Sequence, residues 1–339
     1  MRKIREGEVD HMAKNVRMAD IAQKLGISVV SVSKGLSGKE GVSSEMRAKI
    51  LATARELGYK MPDRAQAAGR SINIGILVAD RHFDESAFYS SLYRAVLDHC
   101  APLHYTCMLE VVPIESERSC IMPTLLVNHK VDALIFMGEL KGDYLNAALQ
   151  YGLPFVLLDF YDDSIAGDSV LSDNTSGGYR MTEHLLSTGR RRIGFVGSVR
   201  ATSSIMDRYL GYCRALLAAG IEPRADWRLE DRDENGEYIQ LELPAEMPEA
   251  FVCNCDEVAY NLVEKLHRAG YRVPEDVAVC GYDDYQFSTL CRPQLTSYRV
   301  DVNGMAAAAV EQLRRKINGK AAPAPTVLVP GILVCRDSA

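Results

Sequence analysis

Apolar residues recur along this chain in two rhythms. In the stretch MADIAQKLG, Met18, Ile21, Ala22 and Leu25 fall at i, i+3, i+4 and i+7, one stripe of a helix. Gly26 predicts its end, because glycine accepts the left-handed conformation of a helix cap. Ser28 suits the N-cap of a second helix, in which Val29, Val32 and Leu36 share one side while Val30, Ser33 and Lys34 fall on or near the other. Ser43 or Ser44 starts a third, with Met46, Ile50, Ala54 and Leu57 inward, Arg47, Lys49 and Arg55 outward, and Gly58 as its stop. From residue 72 the rhythm changes. Apolar runs such as INIGILVAD, VDALIFMG, PFVLLDF, RRIGFVGS and DVAVCGYDD alternate with amphipathic stretches such as SAFYSSLYRAVLDHC and DRYLGYCRALLAAG. That alternation predicts parallel sheets covered on both faces by helices. The runs form two sets, which predicts two doubly wound lobes with ligands bound beyond the carboxyl ends of their strands.

The first seventy residues have the spacing of a helix-turn-helix: helix, short turn with glycine, second helix, supporting third helix. In that arrangement the second helix enters the major groove of DNA, so its exposed side chains are short or flexible. Val30 can meet a thymine methyl, Ser33 a base or phosphate, and Lys34 guanine acceptors or phosphate. A three-helix packing domain that never touches nucleic acid has the same periodicity, and here charge adds weight to the DNA reading. The net charge is −6, but Met1–Arg70 carries 14 Lys/Arg against 8 Asp/Glu, a balance of +6. The totals of 39 and 45 leave 25 and 37 for the remainder, a balance of −12. A basic head on an acidic body points to a polyanionic partner for the head.

Length and composition constrain the rest. At 339 residues, 47% of them hydrophobic, the chain is ordinary globular material for two or three domains. No apolar run nears the roughly 18 residues that a membrane span needs. No export signal is visible, so the nine cysteines read as reduced thiols in a cytoplasmic protein. Cys253 and Cys255 form a C-x-C without a second ligand pair nearby in sequence, which favours buried thiols over a metal site.

Polar residues gather at the strand ends of the body. Asp80 follows IGILVA, Asp159 follows FVLL, Ser198 follows IGFVG, Asp256 follows FVCNC and Asp283 follows VAVCGY. Carboxylates facing one cleft suit hydrogen bonding to a polyhydroxyl ligand. Arg208, one turn into a helix, adds a rigid donor fork, and Phe88 and Tyr89 offer an aromatic face for a ring. The plainer alternatives are that Asp159 or Asp283 caps a helix or holds a loop, and that Phe88 is packing at a hinge face.

These residues resemble the lactose-repressor (LacI/GalR) family of transcriptional regulators. The headpiece pattern D-[VI]-A-x-x-x-G-[VI]-S-x-x-[TS]-V-S-[RK], followed by V-S-x-x-x-R and a terminal G-Y, is met by Asp20, Ile21, Ala22, Gly26, Ile27, Ser28, Ser31, Val32, Ser33, Lys34, Val42, Ser43, Arg47, Gly58 and Tyr59. The resemblance implies base reading by the two positions after the capping serine, Val29 and Val30. It also implies DNA contacts from Ser28, Ser31, Ser33, Lys34 and Ser37. In the body, DRYLGY matches R-x-x-G-[YFW], whose arginine clamps the effector (Arg208), and GYDD matches G-[YF]-D, whose aspartate takes effector hydroxyls (Asp283). The family's N-D pair stands here as Cys255-Asp256, with Asn254 one place earlier. The implied fold is an all-α helix-turn-helix head on an α/β body of the periplasmic-binding-protein type.

The expected boundaries are a polar N-terminal extension over 1–15, with Met12 a candidate initiator, the head over 16–60, a hinge over 61–71 and the body over 72–339. Within the body, lobe one takes about 72–170 and 301–327, and lobe two about 171–298 and 328–339. The hinge is about two residues short of the family pattern and has Gln66, Ala67 or Ala68 where a wedge leucine belongs, with Arg64 and Arg70 placed for phosphates. Alanine and glutamine fill an unstacked base step poorly, which predicts weak kinking of the operator. The family's function implies a homodimer on palindromic half-sites, with a sugar or sugar phosphate as effector, and a nucleobase or a protein corepressor as the alternatives. An enzyme is disfavoured by the lack of a Gly-rich phosphate loop, a metal-ligand cluster or a G-x-S-x-G element, and no cofactor is called for. A transport protein is disfavoured by the basic head.

Overall fold

The computed structural model describes residues 18–37, 42–57, 71–83, 87–233, 236–320 and 326–339. The chain separates into two compact units, Met1–Ser71 and Ile72–Ala339.

In the first unit the helices are α1 (Met18–Leu25), α2 (Val29–Ser37) and α3 (Ser44–Glu56). Gly26 ends α1 at φ +66°, with open space around it, so the backbone conformation alone asks for glycine. The Ser28 hydroxyl accepts the Ser31 amide at 3.0 Å, and that of Ser43 accepts the Met46 amide at 3.3 Å. These caps satisfy amides that have no partner inside their own helices. Ile21, Val32 and Ile50 are fully buried and, with Ala22 and Ala54, form the core of the head. Val29 departs from the periodic expectation: it stands 47% exposed, beside Val30 at 64%. It begins the first turn of α2 and takes no part in the apolar cluster, so its place on the stripe gives it nothing to pack against.

The second unit holds two six-stranded sheets. The first contains β1 (Ile72–Ala79), β2 (Tyr105–Val112), β3 (Ala133–Met137), β4 (Phe155–Leu158), β5 (Asp168–Ser172) and β11 (Val327–Val329), in the order β11-β5-β4-β3-β1-β2. All of its pairs are parallel. The second contains β6 (Ile193–Val196), β7 (Arg228–Leu229), β8 (Ala250–Cys253), β9 (Ala278–Asp283), β10 (Thr296–Arg299) and β12 (Ile332–Val334), in the order β12-β10-β9-β8-β6-β7. Here only the edge pair β10–β12 is antiparallel. Strands such as β3 and β8 are buried at every position, which is why they read as unbroken apolar runs rather than alternating ones.

The chain passes between the lobes after β5, after β10 and between β11 and β12. Leu171 and Ser172, and likewise Leu328 and Val329, therefore belong to the first sheet, two residues beyond the expected crossings. The helix Val302–Ile317 returns to pack on the first lobe, against Ala87–Cys100. The parallel step from β7 to β8 contains no helix among the described residues; its chain is irregular apart from the bridge between Arg232 and Tyr238. In the second lobe the helices Asn174–Ser187 and Ser203–Ala218 lie backbone against backbone. A methyl on Gly178 would stand 2.1 Å from the Arg208 carbonyl oxygen, and one on Gly211 would stand 2.1 Å from that of Thr175.

Candidate functional site

A cavity of about 300 Å³ opens between the two lobes of the body. It is lined by the residues just past β1, β3 and β4 of the first sheet and by those past β8 and at the end of β9 of the second. Asp159 and Asp283 sit at two of these ends with φ of +71° and +97°, a conformation that side chains other than glycine's rarely take.

Arg208 stands on the second turn of the helix Ser203–Ala218, only 6% exposed. Its Nε donates to the Asn174 side-chain oxygen at 2.8 Å, its Nη1 donates to the Asn254 carbonyl at 2.7 Å, and the guanidinium lies 3.8 Å over the Tyr282 ring. Burial works against its charge, but Asp283, Tyr282 and Asp159 together raise its pKa, so it stays protonated. Asp159 takes a hydrogen bond from the Tyr89 hydroxyl at 2.9 Å on one oxygen, and its other oxygen is buried without a partner. Burial pushes its pKa to about 6, against the pull of Arg208 and the Tyr89 hydrogen bond. Burial also raises Asp283, against Arg208 and Arg232. The cavity thus brings together Arg208, Asp159, Tyr89 and Asp283, with Asp80 at its wall.

Three of the expected residues have partners within the protein. Asp256 lines the cavity, but one of its oxygens takes the Ser297 hydroxyl at 2.6 Å and the other the Tyr285 amide at 2.8 Å. Phe88 also lines the cavity; it is 8% exposed and meets Tyr285 of the other lobe edge-on at 5.8 Å. Ser198 lies outside the lining. Its hydroxyl accepts the amides of Asp231 and Arg232 and donates to the Arg232 carbonyl, so a strand-end serine that promised a ligand contact instead pins a loop.

That loop supplies residues the sequence did not announce. Arg232 donates to the Tyr238 hydroxyl at 3.0 Å and lies 4.8 Å over its ring, and both line the cavity. Burial opposes the Arg232 charge, yet Tyr238, Asp231 and Cys255 raise its pKa. Across the cavity, burial with Arg81 and Arg232 lowers His82 to about 3, so the ring is neutral, and its Nε2 donates to the Glu139 carbonyl at 3.1 Å. Asn254 is fully buried and donates to Asp231 at 2.8 Å. The side chain at the adjacent lining position is Cys255, whose pKa burial pushes up to about 12, a neutral thiol. None of these carried a sequence signal beyond the displaced asparagine, because loop 230–249 has no period and its approach to the cavity is long-range.

In the head, Val29 and Val30 form an exposed apolar pair at the start of α2. The Ser31 hydroxyl is 2.9 Å from that of Ser28 and so helps to hold the cap. Lys34 is exposed on the same helix. The side chains of Ser33 and Ser37, and Arg64, Gln66, Ala67, Ala68 and Arg70 of the hinge, lie outside the described residues. Among the described residues no acidic, histidine or cysteine group could hold a metal ion, and no helix is long and apolar enough to cross a membrane.

Residues 17–62 match the model of the bacterial regulatory proteins of the lacI family, and residues 182–339 match the periplasmic binding protein-like domain. The chain is 27% identical over 331 residues to the HTH-type transcriptional repressor PurR of Pasteurella multocida, covering 94% of this chain and 97% of that one. It is 26% identical to the ribose operon repressor of Haemophilus influenzae, covering 95% and 98%. It is also 26% identical to catabolite control protein A of Priestia megaterium, covering 96% and 99%. In fold it is similar to a transcriptional regulator CelR–cellobiose complex, with a TM-score of 0.70 at 24% identity, covering 96% of this chain and all of that one. It is similar too to a lac repressor dimer bound to operator and the anti-inducer ONPF, with a TM-score of 0.65 at 23% identity, covering 96% and 99%. A helix-turn-helix head of lacI type, followed in one chain by a two-lobed periplasmic-binding-protein-like body, makes this protein a member of the lacI family of bacterial regulatory proteins, DNA-binding regulators of transcription.

Proposed function

We propose that the chain is a cytoplasmic, homodimeric repressor, without catalytic activity, whose hold on a palindromic operator is set by a small polyhydroxyl molecule bound between the lobes. The observation that carries this reading is the meeting of Arg208, Asp159 and Asp283 in one cavity. Two carboxylates, the buried Asp159 and the half-buried Asp283, one from each lobe, supply acceptors for hydroxyl groups, and a charged guanidinium already fixed by Asn174 and Asn254 supplies a donor. A buried Asp159 oxygen without a protein partner is an acceptor that a ligand hydroxyl would satisfy. The volume, at the small end of the roughly 300–1,000 Å³ usual for ligand cavities, suits a ligand of monosaccharide size. Arg208 and Arg232 together extend the reading to a sugar phosphate. Because the ligand spans groups from both lobes, it binds one lobe arrangement more tightly than another, which is the condition for controlling the heads.

In the head, the two exposed valines support base reading by apolar contact, with Lys34 and the serines of α2 on phosphate or base edges. Thermal-shift screening of the protein against sugars, sugar phosphates and nucleobases tests the cavity. A compound present at 100 times its dissociation constant adds about 2.7 kcal/mol of stability. Stabilisation by a sugar that is lost in Arg208→Ala supports the reading; stabilisation by nucleobases alone refutes the polyhydroxyl class.

A further inference from the structure

Glu139 stands just past β3 of the first lobe, and its carboxylate is aimed at the second. It accepts the backbone amide of Ser203 at 2.7 Å, the first amide of the helix that carries Arg208. The four leading amides of a helix have no partner within it, and a carboxylate there also meets the positive end of the helix dipole. Usually a residue of the same segment fills this role. Here Thr202 serves the Ile205 amide at 3.2 Å, and the Ser203 amide is served from the other lobe.

The glutamate is held in place from behind. Arg81 pairs with both oxygens of Glu117, a carboxylate 2% exposed, and donates to the Glu139 carbonyl at 2.7 Å. Glu117 also takes the Lys141 amide at 2.7 Å. The turn that presents Glu139 is therefore tied at both flanks. Nearby, the Ser204 hydroxyl donates to the Asp159 carbonyl at 3.0 Å, so two successive residues of the helix start are bonded to strand ends of the opposite lobe.

We infer that Glu139 is a positioning residue of the effector response: a carboxylate of the first lobe that latches the first turn of the Arg208 helix and so holds the lobes together through protein atoms alone. The inference rests on the proposed role of the cavity. It makes the resting lobe arrangement a property to which this side chain contributes, on which a ligand at Arg208 and Asp159 then acts. A residue that only touched ligand would leave the ligand-free protein unchanged when replaced.

Hydrogen–deuterium exchange of the full-length, ligand-free protein tests this, with Glu139→Ala and the near-isosteric Glu139→Gln, which keeps an acceptor but removes the charge. The latch predicts exchange faster by about tenfold in Glu139→Ala, the effect of losing one charge-assisted hydrogen bond. The rise is expected in two peptides, one at the helix start around Ser203 and one in the first lobe around Asp159. Glu139→Gln falls between Ala and the wild type, and the amides of β9 keep their wild-type rates. A rise around Ser203 alone would reduce Glu139 to a helix cap and overturn the latch, as would no rise in either variant. Operator binding by the wild type is measured separately. Its absence would refute the regulator reading while leaving the exchange result to stand by itself.

Discussion

Gly178 and Gly211 determine how closely the Arg208 helix approaches its neighbour, and alanine at either perturbs the site while leaving every polar residue in place. The added methyl would stand 2.1 Å from a main-chain carbonyl oxygen in each case. Carbon and oxygen settle at about 3.3 Å or more, so the helices must part by roughly 1 Å. The obstacle is backbone on both sides, which cannot swing away as a side-chain tip can. Overpacking usually costs about 1–3 kcal/mol, and an obstacle that is backbone on both sides puts it at about 2–3, of which better helix propensity returns about 1 kcal/mol, leaving about 1–2. At about 2–4 °C per kcal/mol, the melting temperature falls by roughly 2–8 °C. The same shift draws the Arg208 Nε away from the Asn174 oxygen, now at 2.8 Å, to a separation at which the hydrogen bond is lost. Thermal unfolding followed by circular dichroism, together with ligand titration of Gly178→Ala, measures both effects. A melting temperature within about 1 °C of the wild type, with ligand affinity intact, would refute the claim that this close approach positions Arg208.

Two further outcomes follow from burial. Asp159 titrates near 6 rather than 3.8 because burial penalises its charge. A carboxyl with a raised folded-state pKa gives stability that is whole below its unfolded value and is lost as pH rises through the folded one. The stability of Asp159→Asn relative to the wild type should therefore climb between about pH 4 and pH 6, by up to about 3 kcal/mol, and level off above. Denaturation midpoints compared across that range check this, and a difference independent of pH would contradict it. Val30, 64% exposed, should tolerate alanine within about 0.5 kcal/mol of stability while preference relaxes at one base position of the operator. Binding to a randomised operator library reads that directly, and a uniform loss across all sequences would contradict base reading by Val30.

Much of this molecule is written in local chemistry. Gly26, Ser28 and Ser43 punctuate the head where their side chains, or the lack of one, meet unpaired backbone groups. The unbroken apolar runs of β3 and β8 reflect burial on both faces. Asp159 and Asp283 could be read because strand ends of a doubly wound sheet converge, and Arg208 because it stands in the DRYLGY pattern. What escaped was long-range. Nothing in the position of Ser198 after IGFVG reveals that it spends its hydroxyl on the loop that brings Arg232 to the cavity, since the loop lacks any period. Glu139 follows an ordinary strand, and its partner is a backbone amide 64 residues away. Asp256 matched a pattern and lines the cavity, but its contacts with the Ser297 hydroxyl and the Tyr285 amide, both distant in sequence, could not be read from it. Val29 sits on the right stripe but beyond the reach of its packing partners.

In the proposed function, a small molecule between the lobes controls the grip of the head on DNA. Fluorescence anisotropy of an operator selected by the wild-type protein, titrated with and without the compound that most raises its thermal stability, measures that coupling most directly. A change in operator affinity of about tenfold is expected, within the 1–3 kcal/mol usual for coupled sites. Arg208→Ala is expected to bind the same operator and ignore the compound. An operator affinity that stays the same while the compound is demonstrably bound would contradict the proposed function.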